Sequence, residues 1–542
     1  MSQQQVTAAA EEPSDTPANP GKKQPKIPAQ TAAQEPPERS PREIRLVMIG
    51  LVITMLLAML DNLIVGTAMP TIVGDLHGAE HLSWVVTSYT LATAAATPIW
   101  GKLGDLYGRK GTFLTSIVIF LVGSALSGLS QNMNELIGFR ALQGLGAGGL
   151  MVGVMSIMGA LVPPRERGKY QGMFAAVMAL ATVGGPLIGG FITDHFSWHW
   201  IFYINLPLGL IALAVVVVTL HLPKVRSTAK VDYLGAALLT TGITSLVLIT
   251  TWGGNQYAWG SKHIIGLAVL AAASLIGFCY VEQRAEEPML PLDLFKNRNF
   301  SMVSIIGFIV GFTMFGAVAF LPQFQQYVQN ASATNSGLLL MPMMFGMLVV
   351  SLVVGQTVTK TGKYRIFPII GTTVMGGGSL LLATLSTDTT RFTSSCYMVV
   401  LGAGMGFLMQ ITMLVAQNSV ELKDMGVASS TATLFRTIGG SFGVALFGSL
   451  YSHQVTSTLK DRLPNLPAAA GNTNGMTPAT LKAADPKFQD AFHHAVANGI
   501  HSVFLWGAVI SVVAIAAALF LREVPLRGAG QSAESSLEAA AV

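Results

Sequence analysis

Charge is scarce in this chain and cysteine nearly absent. Only 11% of its 542 residues are Asp, Glu, Lys or Arg, against about a quarter in ordinary soluble domains, so a mostly water-facing protein is excluded. The two cysteines, Cys279 and Cys396, lie in apolar stretches without partner spacing, which argues against a disulfide framework and a thiolate metal site. His493, His494 and His501 do not converge on further ligands, so no metal is expected. No Walker-type phosphate loop occurs, and no nucleophile, base and orienting group gather within an apolar run. Neither ATP drive nor an enzyme is therefore expected, and no cofactor is required. The net charge of +5 does not signal a nucleic-acid partner, because the basic residues fall mainly on one side of the apolar runs.

What is plentiful is long apolar sequence. Hydrophobic residues make up 51% of the chain, and runs of about 20 recur along nearly its whole length, enough to cross a hydrocarbon core about 30 Å thick. The expected fold class is an all-α integral membrane protein with about fourteen transmembrane helices, multi-pass in a lipid bilayer. Of the 32 Lys and Arg, 24 fall on the side that holds the N-terminal segment and 6 on the other, with Arg140 and Arg436 inside spans. The Lys/Arg bias of short loops places the richer side, and with it both termini, in the cytoplasm.

Three short matches suggest an internal repeat. Gly101 to Arg109 corresponds to Gly355 to Lys363, offset by 254; Leu145-Gly146-Ala147-Gly148 to Leu401-Gly402-Ala403-Gly404, by 256; and Thr182 to Gly185 to Thr437 to Gly440, by 255. Parallel repeats of this kind are common among transporters. The expected plan is 6+2+6: a disordered cytoplasmic tail over 1–45, a six-helix bundle over 46–222 and two inserted linker helices with a cytoplasmic connector over 223–300. A second six-helix bundle follows over 301–522, with a long extracellular loop at 452–499 and a cytoplasmic tail at 523–542.

Within the spans, one acid stands alone. Asp61 interrupts an otherwise apolar helix, where a charge costs roughly 2.5 to 3.5 kcal/mol on insertion scales and marks a functional site by default. Arg140 begins Arg140-Ala141-Leu142-Gln143-Gly144 on the fourth span, and the rise per residue puts it at a depth similar to Asp61. The two are expected to pair and handle a proton; the alternative is an Arg140 that snorkels to the interface. Gly101, Gly104, Asp105, Gly108, Arg109 and Lys110 form a turn between spans two and three. Glycines there permit close helix approach, while Asp105 can accept bonds from a helix N-terminus and Arg109 can pair with an acid. Gly184-Gly185-Pro186-Leu187-Ile188-Gly189-Gly190 on span five combines small residues with a helix-bending proline.

These stretches resemble signatures of the major facilitator superfamily. The Gly101–Lys110 run resembles its latch loop, Arg140–Gly144 its span-four motif, and Gly184–Gly190 the motif that marks its exporters. Leu60 to Pro70, Trp198 to Pro207 and Gly426 to Gly440 further resemble the fourteen-helix drug:proton antiporters of the EmrB/QacA type, although Leu63, Gly66 and His199 depart from common residues there. The resemblance implies the major facilitator fold and a proton-coupled multidrug efflux antiporter in a bacterial inner membrane, driven by the proton gradient. It would act on small amphipathic or lipophilic drugs, dyes or antibiotics, cationic ones included, by alternating access. Candidate cavity residues are Asn62, Asn205, Phe312, Met314, Phe315, Gln323, Met409 and Gln410, since Met- and Phe-rich surfaces adapt to varied apolar ligands. Two other readings stay open: the same fold exporting a lipid or an endogenous secondary metabolite, and a non-transporting receptor or scaffold.

Overall fold

The computed structural model describes residues 41–76, 82–162, 164–221, 232–253, 256–285, 288–331, 338–421, 424–463, 481–482 and 484–526. Residues 1–40 and 527–542 of the expected tails, 464–480 of the expected outer loop and the side chain of Pro186 lie outside the described residues.

Among the described residues there is no β-strand, and fourteen α-helices have fifteen residues or more. They are α1 Pro41–Leu76, α2 Leu82–Tyr107, α3 Arg109–Ser127, α4 Met133–Leu161, α5 Pro164–His195, α6 Asn205–Thr219 and α7 Tyr233–Trp252. The remainder are α8 Lys262–Glu282, α9 Arg298–Tyr327, α10 Met341–Thr361, α11 Ile366–Ala383, α12 Arg391–Asn418, α13 Met425–Arg462 and α14 Pro486–Leu519. A helical turn at Trp200–Tyr203 leads into α6. Eleven segments among the described residues are long and apolar enough to cross a membrane. Many outward side chains, such as Ile265, Val269, Ile276 and Tyr280 on α8, are exposed and apolar. In water such a belt would be a liability; against lipid tails it is the solvated face.

Polar caps start several helices. Asn132 accepts from Glu135 N at 2.9 Å, while Glu135 accepts from Gln131 N at 2.9 Å, so two orphan donors are satisfied reciprocally at the start of α4. Ser261, Thr390 and Asp485 cap α8, α12 and α14 from one side only, each accepting from one backbone N–H.

Packing repeats between the two halves, but two residues off the sequence match on the fourth span: Gly144 and Gly146, not Gly146 and Gly148, take the places of Gly402 and Gly404. One set of buried apolar residues runs from Val47 to Leu220 and a larger one from Phe300 to Leu526. In the first, a Cβ on Gly144 would lie 2.4 Å from Tyr89 O on α2, and one on Gly146 2.4 Å from Phe120 N on α3. In the second, the same test puts Gly402 1.9 Å from Met343 O on α10 and Gly404 2.4 Å from Met375 N on α11. Backbones touch at equivalent places because only glycine fits there. Among the described residues, the two glycines with positive φ, Gly108 at 95° and Gly362 at 71°, also hold corresponding places, after α2 and α10. Helices α7 and α8 join a smaller apolar cluster with Ala94 of α2 and Val427 and Leu434 of α13.

Two boundaries differ from the sequence reading. The first helix starts at Pro41, so 41–45 are helical rather than part of a tail. The described residues of 452–499 are largely helical: α13 continues to Arg462 and α14 begins at Pro486. These polar extensions fold because they pack on each other and on α9. Phe492 is buried beside Tyr327, with ring centroids 5.4 Å apart, and Gly499 admits the Tyr451 ring, 2.6 Å from its would-be Cβ.

Candidate functional site

Asp61 lies within α1 and is fully buried. Three donors from two other helices meet its carboxylate. Arg140 Nη1 donates to Oδ2 at 2.6 Å, Gln143 Nε2 to Oδ1 at 2.8 Å, and Asn205 Nδ2 to Oδ1 at 2.7 Å. Arg140 and Gln143 are three apart on α4, hence on one face, and Arg140 Nη1 also donates to Gln143 Oε1 at 2.9 Å. A second ring supports the first. Asn205 donates to Ser124 Oγ at 3.0 Å, Ser124 donates to Phe202 O at 2.9 Å, and the Arg140 guanidinium lies 4.0 Å above the centre of the Tyr89 ring. The pair thus carries the extra hydrogen bonds and cation–π contact that a desolvated ion pair needs. Arg140 Nε and Nη2 are buried with no hydrogen-bond partner, so part of the guanidinium's donor capacity is unused here.

The span-five glycines act on the same spot. A Cβ at Gly185 would fall 2.6 Å from Leu63 Cβ, and one at Gly184 3.9 Å from Leu60 Cδ2. Thus α5 crosses α1 on the residues that flank Asp61. Gly189 is buried and accepts from Thr193 Oγ1 at 2.9 Å, whereas nothing crowds Gly190.

At the end of the molecule where α2 meets α3, Asp105 joins α2 to α13. It accepts from Gly426 N at 3.1 Å and Val427 N at 2.9 Å, at the N-terminus of α13, where the helix dipole favours an anion. Arg109 Nη2 pairs with Asp105 Oδ1 at 3.0 Å, across the turn that Gly108 makes. Burial lifts the Asp105 carboxyl from 3.8 to about 6, against the opposing pull of the Arg109 charge and hydrogen bond and the Val427 N–H; nearby Asp424 adds to the rise. Gly101 lets α2 approach α13, since its Cβ would stand 2.5 Å from Ser430 Oγ. Gly104 is less crowded, 3.5 Å from Thr112 Oγ1, and Lys110 Nζ caps Val217 O at 2.9 Å. Beside this contact Arg167 Nη1 donates to Gln417 Oε1 at 3.1 Å, and Gln417 Nε2 donates to Met155 O at 3.2 Å and Ser429 Oγ at 3.0 Å.

The candidate cavity residues separate. Asn205 belongs to the Asp61 network and is 1% exposed, so it does not line an open cavity as the sequence reading had it. Phe312, Met314 and Gln410 are likewise buried, Phe312 edge-on to Phe447 with centroids 4.8 Å apart. Asn62 and Phe315 are exposed, and Gln323 and Met409 half-buried. Tyr89, Ser124, Arg167 and Gln417 were missed by sequence reasoning. Only Arg167 carried a signal there, as one of the basic residues of the positive side.

Residues 51–444 match the Major Facilitator Superfamily. The chain belongs to that family. It is 38% identical over 519 residues to the multidrug transporter protein MdtP of Bacillus subtilis, covering 91% of this chain and 95% of MdtP. It is also 38% identical over 486 residues to multidrug resistance protein 3 of the same organism, covering 88% and 95%. Its fold is similar to that of the proton:xylose symporter XylE, with TM-score 0.58 and 14% identity over 88% of this chain and 95% of that one; this likeness concerns the fold alone. This facilitator is therefore a multi-span membrane transporter with multidrug efflux relatives, not an enzyme.

Proposed function

We propose that this facilitator exports small amphipathic or lipophilic compounds (drugs, dyes or antibiotics) across a cell membrane in exchange for protons. Asp61 is the coupling site, and the plan is 6+2+6 with both termini in the cytoplasm. The observation that carries this reading is the Asp61 carboxylate, 0% exposed and held by Arg140, Gln143 and Asn205 from α4 and α6. A proton on Asp61 removes the charge that Arg140 pairs with. The guanidinium then loses its counter-ion in a low-dielectric interior, where such a loss is large enough to change which arrangement of helices is favoured. Because Gly185 and Gly184 seat α5 against Leu63 and Leu60, a shift at Asp61 is passed to α5 through backbone contact.

The arrangement described is closed at the Asp105 end, where α2 and α13 meet. On the proposed topology this is the cytoplasmic side, so this arrangement is shut toward the cytoplasm. Proton entry from the outer side, protonation of Asp61 and release of the Asp105 latch would then complete the switch. One proton crossing 100 mV supplies about 2.3 kcal/mol, enough for roughly a fifty-fold concentration gradient of a neutral cargo. The test is dye efflux from vesicles energised by a proton gradient. Asp61→Asn should abolish it while leaving dye binding; efflux at the wild-type rate in Asp61→Asn would refute the coupling role.

A further inference from the structure

We propose that the α7–α8 pair is a brace across the seam between α2 and α13, which rides on α2 and lets go of α13 when the latch end opens. Helix α7 packs on both of those helices, and α8 packs on α7. They are the same two helices that Asp105 joins. Val427 serves both contacts, since its N–H donates to Asp105 while its side chain is buried in the cluster that α7 and α8 build. The pair is itself one unit, because a Cβ on Gly242 of α7 would fall 2.7 Å from Leu275 Cδ2 of α8.

The two sides of α7 are held differently. Toward α2 the pair is pinned at both ends. Away from the latch, Trp84 of α2 meets Trp252 of α7 edge-on with centroids 5.4 Å apart, and Tyr257 and His263 continue the chain of rings to the start of α8, at 5.7 and 4.5 Å. At the latch end, buried Lys102 of α2, next to Gly101, lies within electrostatic reach of the buried Glu282 carboxylate that ends α8. Glu282 Oε1 also accepts from Leu290 N, which folds the chain after α8 back onto this place. Parting buried charges is costly, and an aromatic pair has a preferred geometry to lose. Toward α13 the contact is made by Val427, Leu434 and Ile438, all aliphatic. Lipid tails replace an aliphatic neighbour at little cost, so this is the side that parts. Further along, Phe295 stays with the other side of the seam, 5.9 Å from the Phe435 ring of α13 and 5.4 Å from the Phe300 ring of α9. The bend therefore falls at the Pro291 turn, between Leu290 and Phe295.

The inference rests on the reading that the bundles alternate, so one distance reports that motion and two others report the brace. Full-length protein in lipid nanodiscs, with Cys279→Ser and Cys396→Ser, carries spin labels in pairs at three exposed positions: Tyr107→Cys at the end of α2, Thr361→Cys at the end of α10 and Gln283→Cys just after α8. The latch end is opened in two independent ways. Gly101→Leu places a side chain where Ser430 Oγ is 2.5 Å from the Cβ position, and Asp105→Ala removes the acceptor of Gly426 N and Val427 N. In both, the Tyr107–Thr361 and Gln283–Thr361 distances should lengthen together by roughly 5 Å or more, while Gln283–Tyr107 holds within about 2 Å, the range of shifts between helices that stay packed. A Gln283–Tyr107 distance that lengthens as much as Tyr107–Thr361, with Gln283–Thr361 held, or equal changes in both Gln283 distances, would refute the brace and leave alternation standing. An unchanged Tyr107–Thr361 distance in both variants would overturn alternation and the brace together. In the unopened protein, Trp84→Ala combined with Glu282→Gln should broaden the Gln283–Tyr107 distribution, and an unaltered distribution would show that the pair is not pinned to α2.

Discussion

The two bundles share a backbone plan and differ in what fills it. Glycines at 144 and 146 in the first and at 402 and 404 in the second bring helix backbones into contact in the same way. With that register, Tyr89, Arg140 and Gln143 correspond to Met343, Met398 and Leu401, and Asp61 falls near Gly316, which is packed under the Phe447 ring. Ser124 in the first bundle supports Asn205; its counterpart Ser379 in the second is buried with no hydrogen-bond partner. A polar network and an apolar core thus stand on one scaffold. The lesson is that helix crossing is set by small residues, and chemistry by what a few positions between the crossings carry.

The largest expected effect comes from removing one ion of the polar core. Arg140→Leu leaves Asp61 buried without its counter-ion and should destabilise the protein by about 3–5 kcal/mol. Met398→Leu, at the matching place, should cost under about 1.5 kcal/mol. Thermal unfolding of the detergent-solubilised variants checks both, and similar losses would erase the contrast between bundles. Next, Gly144→Ala and Gly402→Ala should each cost about 1–3 kcal/mol, because the obstacle in both is a backbone carbonyl that cannot turn aside. A loss confined to one bundle in the same unfolding assay would break the shared-scaffold argument.

The smallest effect concerns the seam between the bundles. Burial holds the Asp105 carboxyl near 6 in the latched arrangement, against 3.8 when released to water. The latched form therefore binds the proton more tightly. This linked contribution is fully present below pH 3.8 and is lost as pH rises through about 6. A spin-label pair across the ends of α2 and α13 should report more of the closed population at pH 5 than at pH 7.5, and Asp105→Asn should flatten that difference. An unaltered pH response in Asp105→Asn would contradict it.

Much of this was legible in the residues. An acid within an apolar run announces itself through its insertion cost, and Arg140 could be matched to it by depth alone because helix rise is constant. The Asp105 turn was equally readable, since glycines and an acid beside a helix start have few other uses. Asn205 was legible as polar but not as a partner of Asp61, because its side chain reaches that carboxylate only once α6 has packed on α1 and α3. Tyr89 and Ser124 gave no signal, being ordinary residues of apolar helices whose role depends on neighbours far along the chain. The helical ends of 452–499 were legible only as a polar loop, because polarity excluded a span, while α13 and α14 extend there by packing on one another.

Asp61 as the site whose protonation is coupled to ligand binding is the central claim, and its most direct test is proton release on ligand addition. Purified wild-type protein in weakly buffered detergent should acidify the medium when a transported dye is added, and Asp61→Asn should bind the dye without releasing protons. Equal proton release from Asp61→Asn would place the coupling elsewhere.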